Sequence, residues 1–226
     1  MVSKLVPNIL CGISGNPKSG KTYLSMTFPE PIKLFSFDIG ADYVRTKFKD
    51  KDIDIQNFDL PIIVTDPPPP YAEPLLQEFE RSYREALEGG KYKTVVIDTA
   101  TALWSIVHQA ITEERGRRKI LEVEYFKPNL KMSAVFQQAR VSGVNLVTTQ
   151  YLRDKYIEEK NSGQQEIDGW KRTGGQVDID LWIKAVDKGD THYMESVIKA
   201  NRFDREINGK TFRDVTYAQI MALLGV

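Results

Sequence analysis

The chain has 226 residues, of which 41% are hydrophobic, so it can bury the core of one domain and is short for two. We therefore predict a single domain over residues 1–226. Its 31 basic residues balance 31 acidic ones, which excludes a bulk positive field, so any contact with nucleic acid has to come from a local patch. The single cysteine, Cys11, excludes an intrachain disulfide and a cysteine-based metal site.

The sequence contains no apolar run as long as a membrane span. Residues 1–4 also lack the apolar core of a secretory signal. We therefore expect no membrane association and a cytoplasmic location.

The most informative stretch follows the first predicted strand, an apolar run at residues 9–13, and precedes a predicted helix. It reads G-x-x-x-x-G-K-T, the pattern of a phosphate-binding loop (P-loop), and an ordinary glycine-rich turn would not require the Lys-Thr pair. Its glycines let the backbone turn N–H groups towards phosphate oxygens. Lys21 would reach the β- and γ-phosphates, and the Thr22 hydroxyl would hold Mg²⁺. The predicted nucleotide-binding residues are Gly15, Asn16, Pro17, Lys18, Ser19, Gly20, Lys21, Thr22 and Tyr23.

A second apolar run at residues 32–37 predicts a buried strand that ends at Asp38, at the sheet edge where ligands bind in open α/β sheets. Residues 45–59 are charged and predict irregular structure, and residues 62–64 are a short strand candidate. The prolines at 67–70 predict a stiff connector. Apolar residues at helical spacing from Leu76 to Leu87 then predict an amphipathic helix that ends at glycines 89–90.

Residues 94–98 form an apolar run that ends at Asp98, which is the Walker B pattern when it follows a P-loop. Asp98 would act on Mg²⁺ directly or through water. A helix follows at residues 103–111. Residues 113–131 are mildly basic and are either a solvated helix end with a loop or a patch that contacts phosphates.

Another helix around Met132 to Ala139 leads to a predicted strand at residues 144–149 that ends at Gln150. The amide of Gln150 could touch the γ-phosphate or the attacking water and pass its presence to the next loop, or it could simply cap the strand. That next segment, residues 153–175, is long and polar, and we predict a functional flap or a partly disordered loop.

From residue 180 the pattern changes to strands separated by turns, at residues 181–186, 193–199 and 211–212, followed by a short helix at 217–224. Strands that alternate with helices and then give way to hairpins predict an α/β fold. Its sheet would be mainly parallel, flanked by helices, and extended by C-terminal antiparallel hairpins.

This order of motifs resembles the RecA-like P-loop ATPases, and more specifically the small phage-encoded ATPases related to RecA that assist single-strand annealing and recombination. The resemblance rests on the P-loop, the turn at residues 37–40, the strand at 95–99, the strand end at 149–150, and the tail at 199–203 with its turn at 208–210. It implies a RecA-like fold, ATP and Mg²⁺ as ligands, and a homo-oligomer in which each nucleotide lies between neighbouring subunits.

The resemblance also implies roles for individual residues. An acidic residue after the second strand orients the attacking water in such folds, and Asp38 is the matching position, with Asp42 as the alternative because relatives often carry the longer Glu. Lys199 and Arg202 match positions from which basic side chains reach the γ-phosphate in the adjacent subunit, although both could be ordinary exposed charges on a strand. The predicted catalytic residues are Lys21, Asp38, Asp98, Gln150, Lys199 and Arg202, and the predicted Mg²⁺ ligands are Thr22 and Asp98.

Three functions are compatible with these features. The first is an ATPase of phage-type recombination, stimulated by single-stranded DNA that contacts the loop after Gln150. Its partner would be a phage annealing or single-strand-binding protein, and its location the cytoplasm of a bacterial host. The second is a nucleotide-gated scaffold with little turnover. The third is a P-loop small-molecule kinase, which the C-terminal hairpins argue against. We predict the first.

Overall fold

A computed structural model describes residues 8–61, 69–116 and 120–225. The strands of these residues are β1 (Leu10–Gly15), β2 (Ile32–Ser36), β3 (Ile53–Asn57), β4 (Thr94–Asp98), β5 (Asn145–Ile157), β6 (Lys160–Asp168), β7 (Ile179–Lys188), β8 (Thr191–Asn201) and β9 (Thr211–Arg213). The α-helices are α1 (Lys21–Met26), α2 (Ala41–Arg45), α3 (Ala72–Glu88), α4 (Ala100–Glu114), α5 (Phe126–Ser142), α6 (Thr173–Gln176) and α7 (Tyr217–Leu223). Single 3₁₀ turns lie at Glu122–Tyr125 and Arg205–Ile207.

The strands form one sheet in the order β3-β2-β4-β5-β1-β7-β8-β9, and β6 pairs with β5 outside this path. The pairs from β3 to β7 are parallel, whereas β7 with β8 and β8 with β9 are antiparallel. The predicted α/β fold, with a mainly parallel sheet and antiparallel strands towards the C-terminus, is confirmed. The P-loop strand β1 lies between β5 and β7, so β5 separates it from β4 and Asp98.

Two apolar cores cover the two faces of the sheet. Helices α3, α4 and α5 pack on one face, where Phe35 and Ile97 are fully buried. Helices α1 and α7 pack on the other face, against Ile13 and Val147. Because successive side chains of a strand point to opposite faces, this layering decides which strand residues can reach the P-loop helix α1.

The prediction for residues 45–59 was wrong in part, because β3 lies within them and pairs in parallel with β2. Its sequence alternates apolar Ile53 and Ile55 with polar neighbours, as a strand at the edge of a sheet does. The strand candidate at residues 62–64 and the first two prolines of the proline-rich connector lie outside the described residues.

The prediction of a long loop at residues 153–175 was also wrong. The parallel pairing of β5 with β1 stops at Gln150, but β5 continues to Ile157 and turns back into the antiparallel strand β6. The two turn residues, Glu158 and Glu159, have φ of 48° and 65°, which is the geometry of a tight hairpin turn. A β-hairpin therefore extends from the sheet directly after Gln150.

Among the described residues, no helix has the length and apolarity needed to span a bilayer.

Candidate functional site

The P-loop joins β1 to α1 and runs close to the antiparallel part of the sheet. Gly20 has φ of 94°, and a Cβ there would lie 2.8 Å from the Met194 Sδ. A Cβ on Gly15 would lie 2.4 Å from the Ile183 carbonyl oxygen, so the backbone can take this path only with glycine. These two contacts explain both glycines of the motif.

Lys21, at the start of α1, is only 6% exposed. Its Nζ donates hydrogen bonds to the carbonyl oxygens of Gly15 (3.0 Å) and Asn16 (2.8 Å). It also lies 4.3 Å from the centre of the Tyr151 ring. Burial lowers the pKa of Lys21 to about 8, although the carboxylates of Asp98 and Asp38 act in the opposite direction. The amine is therefore held against the phosphate-binding loop.

Asp98, at the end of β4, is 3% exposed and accepts two hydroxyl hydrogen bonds. The Thr22 Oγ1 donates to its Oδ2 at 2.8 Å, and the Thr149 hydroxyl donates to its Oδ1. Burial raises the pKa of this carboxyl, while the bonds from Thr149 and Thr22 act to lower it. The two predicted metal ligands, far apart in sequence, are thus in direct contact.

These oxygens fit a magnesium ion that arrives with a nucleotide. Mg²⁺ in nucleotide enzymes takes one or two protein oxygens and completes its shell with phosphate oxygens and water. Thr22 and Asp98 supply such a pair. Among the described residues there is no group of three or more His, Cys, Asp or Glu side chains that could hold a metal by themselves. The donor set is therefore incomplete without nucleotide oxygens.

Asp38 lies on the turn after β2 and borders the same cavity. One carboxylate oxygen accepts from the Ile39 N–H at 2.7 Å, and the other accepts from the Tyr151 hydroxyl. Asp42 accepts instead from the Asn57 amide at 3.2 Å and does not line the cavity. Of the two candidate carboxylates, Asp38 is the one beside the P-loop.

A cavity of about 600 Å³ brings these groups together. Its lining includes residues 17–23 of the P-loop region together with Asp38, Asp98 and Tyr151. Most of the predicted nucleotide-binding residues therefore share one site with Asp38 and Asp98, at the carboxyl ends of the parallel strands.

Gln150 is fully buried on the other side of the sheet. Its Nε2 donates to the Thr173 Oγ1 at 2.9 Å, and its side chain does not line the cavity. The neighbouring residues Thr149 and Tyr151 face the cavity side instead. A contact of Gln150 with the γ-phosphate stays a prediction, and in this arrangement its amide does not reach the cavity.

Lys199 and Arg202 lie at the end of β8 and do not line the cavity. The Lys199 Nζ is 4.1 Å from the centre of the Trp182 ring. Arg202 Nη2 donates to the Gly175 carbonyl oxygen at 3.0 Å, and its Nε lies 3.9 Å from Asp178 Oδ1. Neither side chain therefore contributes to the cavity of its own chain.

Thr149 and Tyr151 belong to the site although no sequence motif identifies them. The signal that could have indicated them is the two-residue alternation along β5, since side chains that flank Gln150 must point to the face opposite to it.

A P-loop strand and a strand that ends in Asp98, with a third strand between them, are the arrangement of the RecA-like P-loop fold. The chain belongs to the AAA domain family, whose model matches residues 8–187. A solved structure of a KaiC-like protein from the hyperthermophilic archaeon Pyrococcus horikoshii OT3 is similar to it, with a TM-score of 0.52 and 15% identity over 92% of this chain and 85% of that one. This similarity supports the fold. Comparison with curated protein sequences gives no match.

Proposed function

We propose that the protein binds ATP with Mg²⁺ in the 600 Å³ cavity and hydrolyses it to ADP and phosphate. The observation that carries the proposal is the 2.8 Å contact between Thr22 and Asp98, beside Lys21 and Asp38. Phosphoryl transfer needs little covalent chemistry from the protein, so a site that positions and neutralises phosphate oxygens is sufficient.

Each side chain has a separate task in this proposal. The backbone N–H groups of the P-loop and the Lys21 ammonium bind the phosphates. Thr22 and Asp98 would hold Mg²⁺, which would supply positive charge to neutralise the phosphate oxygens. Asp38 orients the attacking water, which donates a hydrogen bond to the Asp38 carboxylate.

We propose that Lys199 and Arg202 complete the site of a neighbouring copy of the chain. What supports this is that Lys199, near the end of β8, and Arg202, just after it, are exposed and do not line the cavity of their own chain. A basic side chain supplied by another subunit is worth on the order of 10³ to 10⁵ in rate in P-loop enzymes. The isolated protomer should therefore turn over slowly, and hydrolysis should depend on a homo-oligomer.

Coupling to single-stranded DNA belongs to the same proposal, and the β5–β6 hairpin supports it. A cavity of about 410 Å³ lies beside α4 and the base of this hairpin. Its lining includes the aromatic residues Trp104 and Tyr125 and the basic residues Arg153 and Lys171. Aromatic faces stack on bases and basic groups bind phosphates, and single-strand binding sites combine the two. Glu166 pairs with both Arg153 (2.9 Å) and Lys171 (2.7 Å), so a phosphate would have to displace its carboxylate.

Together these features lead us to propose an ATPase of phage-type recombination or single-strand annealing, acting with an annealing or single-strand-binding protein in the cytoplasm of a bacterial host. The test is ATP hydrolysis with and without single-stranded DNA at low and moderate salt. Lys21→Ala should abolish turnover, and Lys49→Ala, which removes an exposed lysine outside the cavity, should not.

The outcomes separate the candidate functions. Strong stimulation by DNA supports the proposal. Tight ATP binding with negligible turnover in both conditions would replace it with the nucleotide-gated scaffold. Transfer of phosphate to a small acceptor would replace it with a kinase.

A separate measurement addresses the neighbouring subunit. Arg202→Ala should lower turnover without weakening ATP binding to the protomer. Mixing it with Lys21→Ala subunits should restore part of the activity, because each protein supplies the group that the other lacks. Absence of rescue at every mixing ratio would contradict a role of Arg202 in a neighbouring site.

A further inference from the structure

The Tyr151 side chain contacts both Lys21 and Asp38. Its ring lies 4.3 Å from the Lys21 Nζ, and its hydroxyl donates a hydrogen bond to the Asp38 carboxylate. Lys21 belongs to the P-loop and Asp38 to the turn after β2, so Tyr151 contacts both segments. It lines the nucleotide cavity together with both of them.

The contact with Asp38 fixes a carboxylate that has few other supports. Asp38 is exposed on its turn, and its second oxygen accepts only from the adjacent Ile39 N–H among the hydrogen bonds of the described residues. Burial and the Asp38 charge raise the pKa of Tyr151, so its hydroxyl stays protonated and acts as the donor. Without that donor the carboxylate is free to rotate about its side-chain bonds.

Tyr151 also stands at the start of the β5–β6 hairpin. Pairing of β5 with β1 ends at Gln150, and Tyr151 is the next residue, paired with Asp168 of β6. The hairpin makes a second contact with the P-loop, because the Gln165 Nε2 donates to the Asn16 Oδ1 at 3.3 Å. The hairpin therefore touches the nucleotide site at two points.

From these contacts we propose that Tyr151 is a positioning residue for ATP hydrolysis: it orients Asp38 towards the attacking water and links the state of the cavity to the hairpin. The inference rests on the proposed ATPase function. Bound phosphates attract Lys21 away from its contacts with the loop and the ring, and attacking water engages Asp38, so nucleotide binding changes both partners of Tyr151 at once.

The first test is Tyr151→Phe, which keeps the ring beside Lys21 and removes only the hydroxyl. The hydroxyl touches Asp38, which acts in the transition state, so kcat should fall about tenfold, as for loss of one hydrogen bond to a charged group, with KM for ATP within about twofold. The matched control is Tyr92→Phe, which removes a tyrosine hydroxyl that donates to Asp54, outside the cavity. It should leave both constants unchanged. Equal kcat values for the two variants would overturn the proposal.

The second test does not depend on turnover. Hydrogen exchange of the backbone amides at residues 151–168 is measured with Mg²⁺ and a non-hydrolysable ATP analogue, and without them. The nucleotide should change the exchange rates of the hairpin severalfold in the unmodified protein, and much less in Tyr151→Phe. A hairpin that does not respond to the nucleotide, or responds equally in both proteins, would refute the link.

The two tests also separate this proposal from the one on which it rests. If the unmodified protein binds ATP but does not hydrolyse it, the proposed ATPase function fails, while the exchange measurement still decides whether Tyr151 links the cavity to the hairpin.

Discussion

Asp180→Asn should stabilise the protein at neutral pH, because Asp180 is a carboxylate that the fold buries without full compensation. It lies on β7, is 8% exposed, and its Oδ1 has no hydrogen-bond partner among the described residues. Burial raises its pKa from 3.8 to about 6, and the positive charge of Lys199 offsets part of that effect. Asparagine has nearly the same shape and carries no charge.

The sign and the size follow from proton binding. The folded state holds the Asp180 proton more tightly than the unfolded state, so ionisation costs stability as pH rises from 3.8 to about 6. A difference of about two pKa units corresponds to a loss of roughly 3 kcal/mol in the free energy of unfolding. This loss is complete above about pH 6 and absent below about pH 4. The variant should therefore be more stable by up to about 3 kcal/mol at pH 7 and no more stable at pH 3.5.

Urea unfolding, followed by tryptophan fluorescence between pH 3.5 and 7.5, measures this difference. The matched control is Asp190→Asn, which neutralises an exposed carboxylate in the turn between β7 and β8 and should change the free energy of unfolding little at any pH. A gain from Asp180→Asn that is the same at both ends of the range, or no gain at pH 7, would refute the reasoning.

Three further predictions address other parts of the molecule. Asp98→Asn should lower Mg²⁺-dependent turnover at least a hundredfold while the melting temperature stays within a few degrees; unchanged turnover would remove Asp98 from the site. ATP affinity should be constant below the Lys21 pKa of about 8 and should weaken towards tenfold per pH unit above it, because phosphate binds the protonated amine. Titration calorimetry from pH 7 to 10 tests this, and an affinity that does not change with pH would contradict it. Glu113 accepts hydrogen bonds from the backbone N–H groups of residues 71–73, at the start of α3. Glu113→Ala should therefore lower the free energy of unfolding by about 1–2 kcal/mol, and the control Glu114→Ala by much less. Equal losses of stability in urea unfolding would argue against this helix cap.

The nucleotide cavity could be predicted in large part because its geometry is set by local chemistry. Lys21 and Thr22 follow a loop whose two glycines are required by the close approach of the backbone to β7 and β8. Asp98 ends a fully buried strand with three consecutive apolar residues, so the sequence indicates both the strand and its carboxyl end. Because these motifs determine the local backbone, Lys21, Thr22 and Asp98 lie close together, as the sequence predicted.

The β5–β6 hairpin could not be predicted in the same way. Tight hairpin turns with positive φ are signalled by Asn-Gly or similar pairs, and this turn is made by Glu158 and Glu159. Its strands are polar and half exposed, so they carry little of the apolar alternation that marks a strand over a core. Without the hairpin, the sequence pattern places the end of the strand at Gln150 and gives Tyr151 no position beside the cavity.

The position of β1 has a consequence for the order in which the protein can acquire its activity during synthesis. β1 is the first strand along the described chain, yet its two neighbours come late: Leu10 pairs with Leu146, and Cys11 pairs with Ile179. Pairings between such distant residues form slowly, because closing a long loop costs entropy before the stabilising contacts form. On the ribosome, the P-loop is made before both strands that flank β1, and it remains without them until β5 and β7 have emerged. A nascent chain that stops before β7 should therefore carry the complete motif and still fail to bind nucleotide.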